Sequence, residues 1–316
     1  MIAPTNECQH ETTHKHGRTA ANLQRYKCAD CGKTFTEDRP KPIGNMRINL
    51  DRACTALNLL LEGLSIRSTE RIVGIHRDSI CDLILVVGEN LDRFHHKAVV
   101  DVPVTDVQVD EIWDFVGKKS KRVQKGETGV GDAWTYTAIE RETKILLSYH
   151  CGKRNAMDTD RFLTKLRHAV DDTQRYQITS DGFQAYQYGV PFALGSNIDF
   201  GQLIKKYAAS QTETRYSPAT IIASEKVPRF GSPAEDRICT SHVERMNLTI
   251  RMSLRRFTRL TNAFSKSLEH HTAMQSIFFS WYNWCRKHST IGTTPAMASG
   301  LTDKQMTIRQ LLEAAA

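Results

Sequence analysis

A chain of 316 residues, 40% apolar and 25% charged, has the make-up of an ordinary globular protein with room for a main domain and one or two small ones. Its longest aliphatic block, Leu83-Ile-Leu-Val-Val87, is far too short to span a membrane, and the first residues lack the apolar centre of a signal peptide, so a cytoplasmic protein is expected. The formal net charge of +8 favours an acidic polymer as partner, and eight cysteines in a chain this long exclude a disulfide scaffold.

Residues 1–40 carry three of those cysteines, Cys8, Cys28 and Cys31, beside His10, His14 and His16. Cys28-x-x-Cys31 followed by Gly32 is a tight knuckle that lets two thiolates surround one zinc ion. The Cys8 region supplies a third thiolate and an imidazole, with His10 the first choice and His14 and His16 also in reach. So small a segment cannot bury a sufficient core, and a metal would hold its fold. Its basic residues Arg18, Arg25, Lys27 and Lys33 suit contact with a DNA backbone.

Pro40, Pro42 and Gly44 mark a linker, and residues 47–98 read as helices with short breaks. Ala53, Leu57, Leu60 and Leu61 form one helical stripe. A second, short helix from Ser65 to Val73 opens with Ser and Thr ahead of Glu70, which reads as a capping box. Gly74 makes a turn and a third helix follows. Helix, glycine turn, helix is the pattern of a helix-turn-helix, which brings Arg67, Arg77, Asp78 and Ser79 towards base edges or phosphates.

Past residue 104 the pattern changes to strand. Val107, Val109, Ile112, Phe115 and Val116 surround Asp110, an acid that is costly to bury unless it is paired or holds a metal. Glu111 and Asp114 are rivals, but neighbouring residues on a strand point to opposite faces, so Glu111 is not expected to share the direction of Asp110. Strands at 133–139 and 144–149 complete a meander. A helix over 156–170 and a strand over 176–180 then deliver Asp181-Gly182 at a strand's C-terminal end, where open α/β sheets keep their sites. Residues 208–237 read as a long basic loop.

Ser241 to Arg259 reads as one amphipathic helix. Its apolar residues Val243, Met246, Ile250, Leu254 and Phe257 recur at three- and four-residue steps. Glu244 is its lone acid, and Arg245, Arg251, Arg255, Arg256 and Arg259 crowd behind it. Seven residues make nearly two turns, so Glu244 and Arg251 are expected on one side, with His242 a possible auxiliary well round the helix. A long apolar helix over 265–288 and a tail helix over 302–314 end the chain.

Four strings, Val109-Asp-Glu-Ile-Trp113, Ser180-Asp-Gly182, His242-Val-Glu-Arg-Met-Asn-Leu-Thr249 and Tyr282-Asn-Trp-Cys-Arg-Lys-His288 with Thr294-Pro-Ala-Met297, resemble the insertion-sequence-one family of bacterial DDE transposases. The Cys28-Ala-Asp-Cys-Gly-Lys-Thr-Phe35 finger and the helix-turn-helix match as well, so the resemblance covers nearly the whole chain. It departs at the finger's start, where Glu11 stands in place of a second cysteine.

The resemblance implies an α/β protein. A ribonuclease H-like mixed sheet flanked by helices would span 104–300, with a loop insertion at 208–237. A zinc-binding module at 1–40 and a helix-turn-helix domain at 47–98 would precede it, and a helical tail would close it at 301–316. It also implies cleavage and strand transfer at terminal inverted repeats. Asp110, Asp181 and Glu244 would share two Mg²⁺ or Mn²⁺ ions, Arg251 would hold a terminal phosphate, and Cys8, His10, Cys28 and Cys31 would share one Zn²⁺. Arg67, Arg77, Ser79, Arg245, Arg255 and Arg256 would contact double-stranded DNA. The protein would work in the cytoplasm on the nucleoid, as a homodimer or larger assembly, with no membrane partner. Two other readings fit the same residues: a DNA-binding regulator over an inactive catalytic domain, and a metal-dependent nuclease without strand transfer.

Overall fold

The computed structural model describes residues 8, 10–20, 22–36, 40–207, 221–258 and 261–316. The chain divides into two compact units, Met1–Lys41 and Pro42–Ala316. In the first, strands β1 (Thr13–Arg18), β2 (Gln24–Cys28) and β3 (Thr34–Thr36) form an antiparallel sheet in that order. Tyr26 stacks on Phe35 across β2 and β3. Cys28 is the one buried residue among those described in this unit, so hydrophobic burial contributes little to its stability.

The second unit opens with helices α1 (Leu50–Leu61), α2 (Ile66–Val73) and α3 (Arg77–Ala98). Asn49 caps α1, accepting from the amides of Asp51 and Arg52. Ser65 caps α2, but the capping box expected there does not form. Ser65 accepts from the Ser68 amide, while Glu70 reaches forward to accept from the Arg77 amide at the start of α3. Gly74 holds the turn with φ 67°, and Arg52 pins it by donating to the carbonyls of Val73 and Gly74. Then come β4 (Asp106–Val116), β5 (Gly131–Glu140), β6 (Leu146–Gly152), α4 (Ala156–Ala169), β7 (Tyr176–Asp181), α5 (Gln184–Leu194), β8 (Ile198–Tyr207) and β9 (Ile221–Phe230). Helices α6 (Ser241–Ser253), α7 (Leu268–Trp284), α8 (Pro295–Ala298) and α9 (Ile308–Ala314) complete it.

The six strands of this unit make one mixed sheet, ordered β6-β5-β4-β7-β8-β9. β4 is antiparallel to β5 and parallel to β7, β7 is parallel to β8, and β8 is antiparallel to β9. One apolar core joins the sheet to the helices. α3 contributes Ile80, Leu83, Ile84, Val87 and Leu91, and its buried His95 ring lies 3.4 Å from the Leu147 carbonyl on β6. At the crossing of α3 and α7 the backbones nearly touch: a Cβ at Gly88 would lie 2.5 Å from that of Ala273.

Two expectations need correction. The stretch 208–237 is not all loop: residues 221–230 form β9, and the part at 208–220 lies outside the described residues. β9 is exposed along almost its whole length, so it carries no alternating apolar signature, and Pro228 is tolerated because the strand is an edge. Nor does the Glu244 helix run to Arg259, itself outside the described residues. It ends at Ser253, and Leu254 turns extended (φ −100°, ψ 103°) into a short 3₁₀ turn at 255–257. That break lets Leu254 and Phe257 both enter the core, Phe257 against the ring of His271. Among the described residues no helix is long and apolar enough to cross a membrane.

Candidate active site

The parallel pairing of β4 with β7 sets Gln108 against Thr179; continued two residues, the same register brings Asp110 level with Asp181. β7 ends at Asp181, so beyond that level β4 has open space on one side. Oxygens of Asp110, Glu111 and Asp181 all lie within 4.8 Å of one another. Glu111, which strand alternation appeared to exclude, is therefore in the cluster. Alternation fixes only the direction of its Cβ, and its longer side chain brings the carboxylate within reach of Arg154 and Asp181.

Glu244 lines the same cleft of about 850 Å³, with Asp110, Asp181, Arg154 and Lys205, but stands outside the three-acid cluster. Its carboxylate is held by the Lys205 ammonium and the Thr240 hydroxyl. Helix α6 is docked by β4 itself. Gln108 accepts from the amides of His242 (2.9 Å) and Val243 (3.2 Å), and Asn247 donates to Asp110 Oδ2 at 2.8 Å. Glu244 and Asn247, three residues apart, thus face the cleft together.

Arg154 spans the cluster, with Nε 3.1 Å from Glu111 Oε2 and Nη2 3.4 Å from Asp181 Oδ2. Its guanidinium lies over the rings of Phe183 (4.1 Å) and Trp134 (5.1 Å), which fix its plane. Asp181 Oδ1 accepts from the Phe183 amide, and Gln202 donates to the Asp181 carbonyl, so the strand end is braced. Burial, and then the charges of Glu111 and Asp181, push the Asp110 carboxyl up to about 8. Burial and the Asp181 charge push Glu111 up to about 7, against the opposing effect of the Tyr186 hydroxyl and of Arg154. Crowded, buried acids are a site short of positive charge.

The remaining candidates fall elsewhere. Asp114 sits on the face of Asp110 but two pleat repeats away, near His271, and burial raises its carboxyl to about 7. Arg251 is not among the residues lining the cleft; it donates to the carbonyls of Phe257 and Trp113. Arg256 donates to the His270 carbonyl and the Ser265 hydroxyl, and it too lines the groove of Arg67 and Arg255. Arg67 and exposed Arg255 line one groove together. Arg77 and Ser79 lie at the start of α3, the first exposed and the second half-buried. Arg245 is exposed on the side of α6 away from Glu244, with His242. Arg154, Lys205 and Asn247 escape a sequence reading because each acts through a partner distant in the chain.

In the N-terminal unit, ligand atoms of Cys8, His10, Cys28 and Cys31 lie within 4.8 Å of one another. Cys8 Sγ is 3.6 Å from Cys28 Sγ, and Cys31 Sγ is 3.3 Å from His10 Nδ1. The Cys31 amide, then His10, lowers the Cys28 thiol to about 6. His14 and His16 are exposed on β1, outside this group. Three sulfurs and one imidazole are a donor set suited to zinc.

No family model matches the sequence, and no curated protein matches it. Among solved structures, similar chains occur in a cryo-EM structure of a piggyBac transposase synaptic complex with hairpin DNA and in the crystal structure of the Mos1 strand transfer complex. The first has a TM-score of 0.34 at 11% identity, covering 84% of this chain and 70% of that one. The second has a TM-score of 0.20 at 13% identity, covering 50% and 58%. Likeness this slight says nothing of chemistry, which is read from the residues themselves.

Proposed function

We propose that the protein is a DDE-type transposase with a ribonuclease H-like catalytic fold, cutting DNA at the ends of an insertion sequence and joining the freed 3′ ends to a target. The observation that carries this reading is the meeting of Asp110, Glu111 and Asp181 at the end of a parallel strand pair, with Glu244 in the same cleft. The strand order, with a meander leading into a parallel pair, and the matching strings in the sequence support it further.

Oxygen-only ligands suit magnesium or manganese, and the raised Asp110 and Glu111 carboxyls fit residues that a cation would satisfy. Asp110, Asp181 and Glu244 would hold the ions, with Glu111 an added ligand. A pair of divalent ions there would supply Lewis-acid stabilisation for an in-line displacement at phosphorus. Arg154 orients Glu111 and Asp181, and Asn247 orients Asp110. Lys205, on the cleft wall, is placed to meet a phosphate once Glu244 releases it. The cysteines and His10 of the N-terminal unit would hold one structural zinc ion, and Arg67, Arg77, Ser79 and Arg245 would contact the duplex.

Purified protein is expected to nick DNA carrying the element's own terminal repeats when Mg²⁺ or Mn²⁺ is added. Glu244→Gln and Asp110→Asn should each abolish that nicking; unchanged cleavage would overturn the assignment. Joining of pre-cut 3′ ends to a target separates a transposase from a simple nuclease.

A further inference from the structure

On the far side of α6 lies a second concavity, of about 380 Å³, whose charged lining is entirely basic or imidazole: Lys144, His242, Arg245, Arg286, Lys287 and His288. His242, Arg245 and Thr249 recur at three- and four-residue steps, the helix face opposite Glu244 and Asn247. The other wall is the turn after α7, which carries Arg286, Lys287 and His288. No carboxylate lines it; Glu140 and Glu142 are the acids whose charge reaches His242.

The cations here are not neutralised by one another's neighbours. Arg245, Arg286 and Lys287 have no ion pair among the described residues. Lys144 is buried, its ammonium held by the Arg141 carbonyl and lying 3.3 Å from His242 Nδ1. His288 Nδ1 is buried without a hydrogen-bond partner. Gathering so many like charges around one hollow is unfavourable unless an anion occupies it. The floor adds Tyr282, and Arg286 lies across the rings of Trp281 and Tyr282, which holds its guanidinium in place.

We propose that this pocket is a second phosphate-binding site, which grips a backbone phosphate of the nucleic acid whose reacting phosphate lies in the carboxylate cleft. The inference rests on the proposed function. It makes α6 a divider, with chemistry on one face and strand-holding on the other.

The test is a salt titration of binding to a labelled duplex, followed by fluorescence anisotropy with no Mg²⁺ or Mn²⁺ added, so that it does not depend on cleavage and leaves the N-terminal unit intact. Arg286→Gln with Lys287→Gln should lower the slope of log Kd against log salt by about two, near one for each phosphate contact removed. Lys287→Gln alone, at an exposed position, should lower it by about one and guards against misfolding of the double variant. Thr249→Glu, which puts a carboxylate into the pocket wall, should weaken binding further. Slopes that match the wild type in all three variants overturn the site. Inorganic pyrophosphate, followed by phosphorus NMR, serves as the other arm. Pyrophosphate binding that the variants abolish, with duplex slopes unchanged, would mean a small anion as occupant and would also overturn the proposal. Absence of nicking by the wild type, with these slopes as expected, would count against the proposed chemistry and leave the pocket standing.

Discussion

Arg154 Nε lies 3.1 Å from Glu111 Oε2, inside a cleft otherwise built to collect negative charge. The guanidinium also reaches Asp181, so one side chain does for two carboxylates what bound cations would do. Arg154→Gln should therefore destabilise the metal-free protein by about 2 kcal/mol, the scale of a lost hydrogen bond to a charged group. Mg²⁺ should raise the Tm of the variant more than that of the wild type. An equal rise in both would show that Arg154 does not stand in for cations.

Asp110 is the opposite case, a group whose charge the fold tolerates poorly. Burial and the neighbouring acids raise its carboxyl to about 8. Asp110→Asn keeps the shape and removes the repulsion, and the amide can still accept from Asn247. The variant should gain about 1 kcal/mol in denaturant unfolding, as often happens when a functional group is neutralised. Cleavage should fall by more than about a hundredfold, because even partners behind metal ligands are worth 10–100-fold. A variant less stable than the parent would contradict this account of the cluster.

Metal analysis of the N-terminal unit should give one zinc per chain, lost in Cys28→Ser. Since Cys28 is the one buried residue among those described there, chelation should abolish the amide-exchange protection of β1–β3 and leave that of β4–β9 intact. Retained protection in β1–β3 after complete zinc removal would show that the sheet needs no metal.

His95 is fully buried, and burial, then the charge of His96, pushes its ring down to about 3. Unfolded, the ring titrates near 6.5, so below that pH the unfolded chain binds a proton that the folded one refuses. The His95 contribution is thus fully present above about pH 6.5 and lost as pH falls towards 3. Compared with His95→Phe, the wild type should lose stability at up to about 1.4 kcal/mol per pH unit over that window. Parallel stability curves for the two proteins would show that His95 is charged in the fold.

Gly88 faces Ala273 where α3 crosses α7. A methyl group there has no room, so Gly88→Ala should cost about 1–3 kcal/mol despite the better helix propensity of alanine. Thermal unfolding measures it, and an unchanged Tm would mean that the helices can move apart freely.

Asp110 and Asp181 are legible in the sequence because an acid amid strand-forming residues, or at a strand's end before glycine, is a local anomaly. Glu244 is legible as the lone acid of an amphipathic helix. Glu111 is not, since strand alternation speaks of Cβ direction and is silent on how far the side chain beyond it reaches. The break at Leu254 is hidden for a related reason: Leu254 and Phe257 keep helical spacing, yet both enter the core only if the helix ends. Strand β9 evades the pattern because it buries almost nothing. The meander and α4 form close to where the apolar pattern puts them, whereas α7 is buried on nearly every side, Gln275, Ser280 and Asn283 included.

Gln108 never reaches the cleft, yet its single carbonyl oxygen anchors two amides at the head of α6 from the strand that bears Asp110. The spacing between strand and helix acids is therefore set in part by a buried amide that bears no charge, beside the Asn247 bond to Asp110. A saturation screen for activity should find this glutamine as intolerant as the carboxylates themselves, and a search for inactivating lesions confined to charged positions would overlook it.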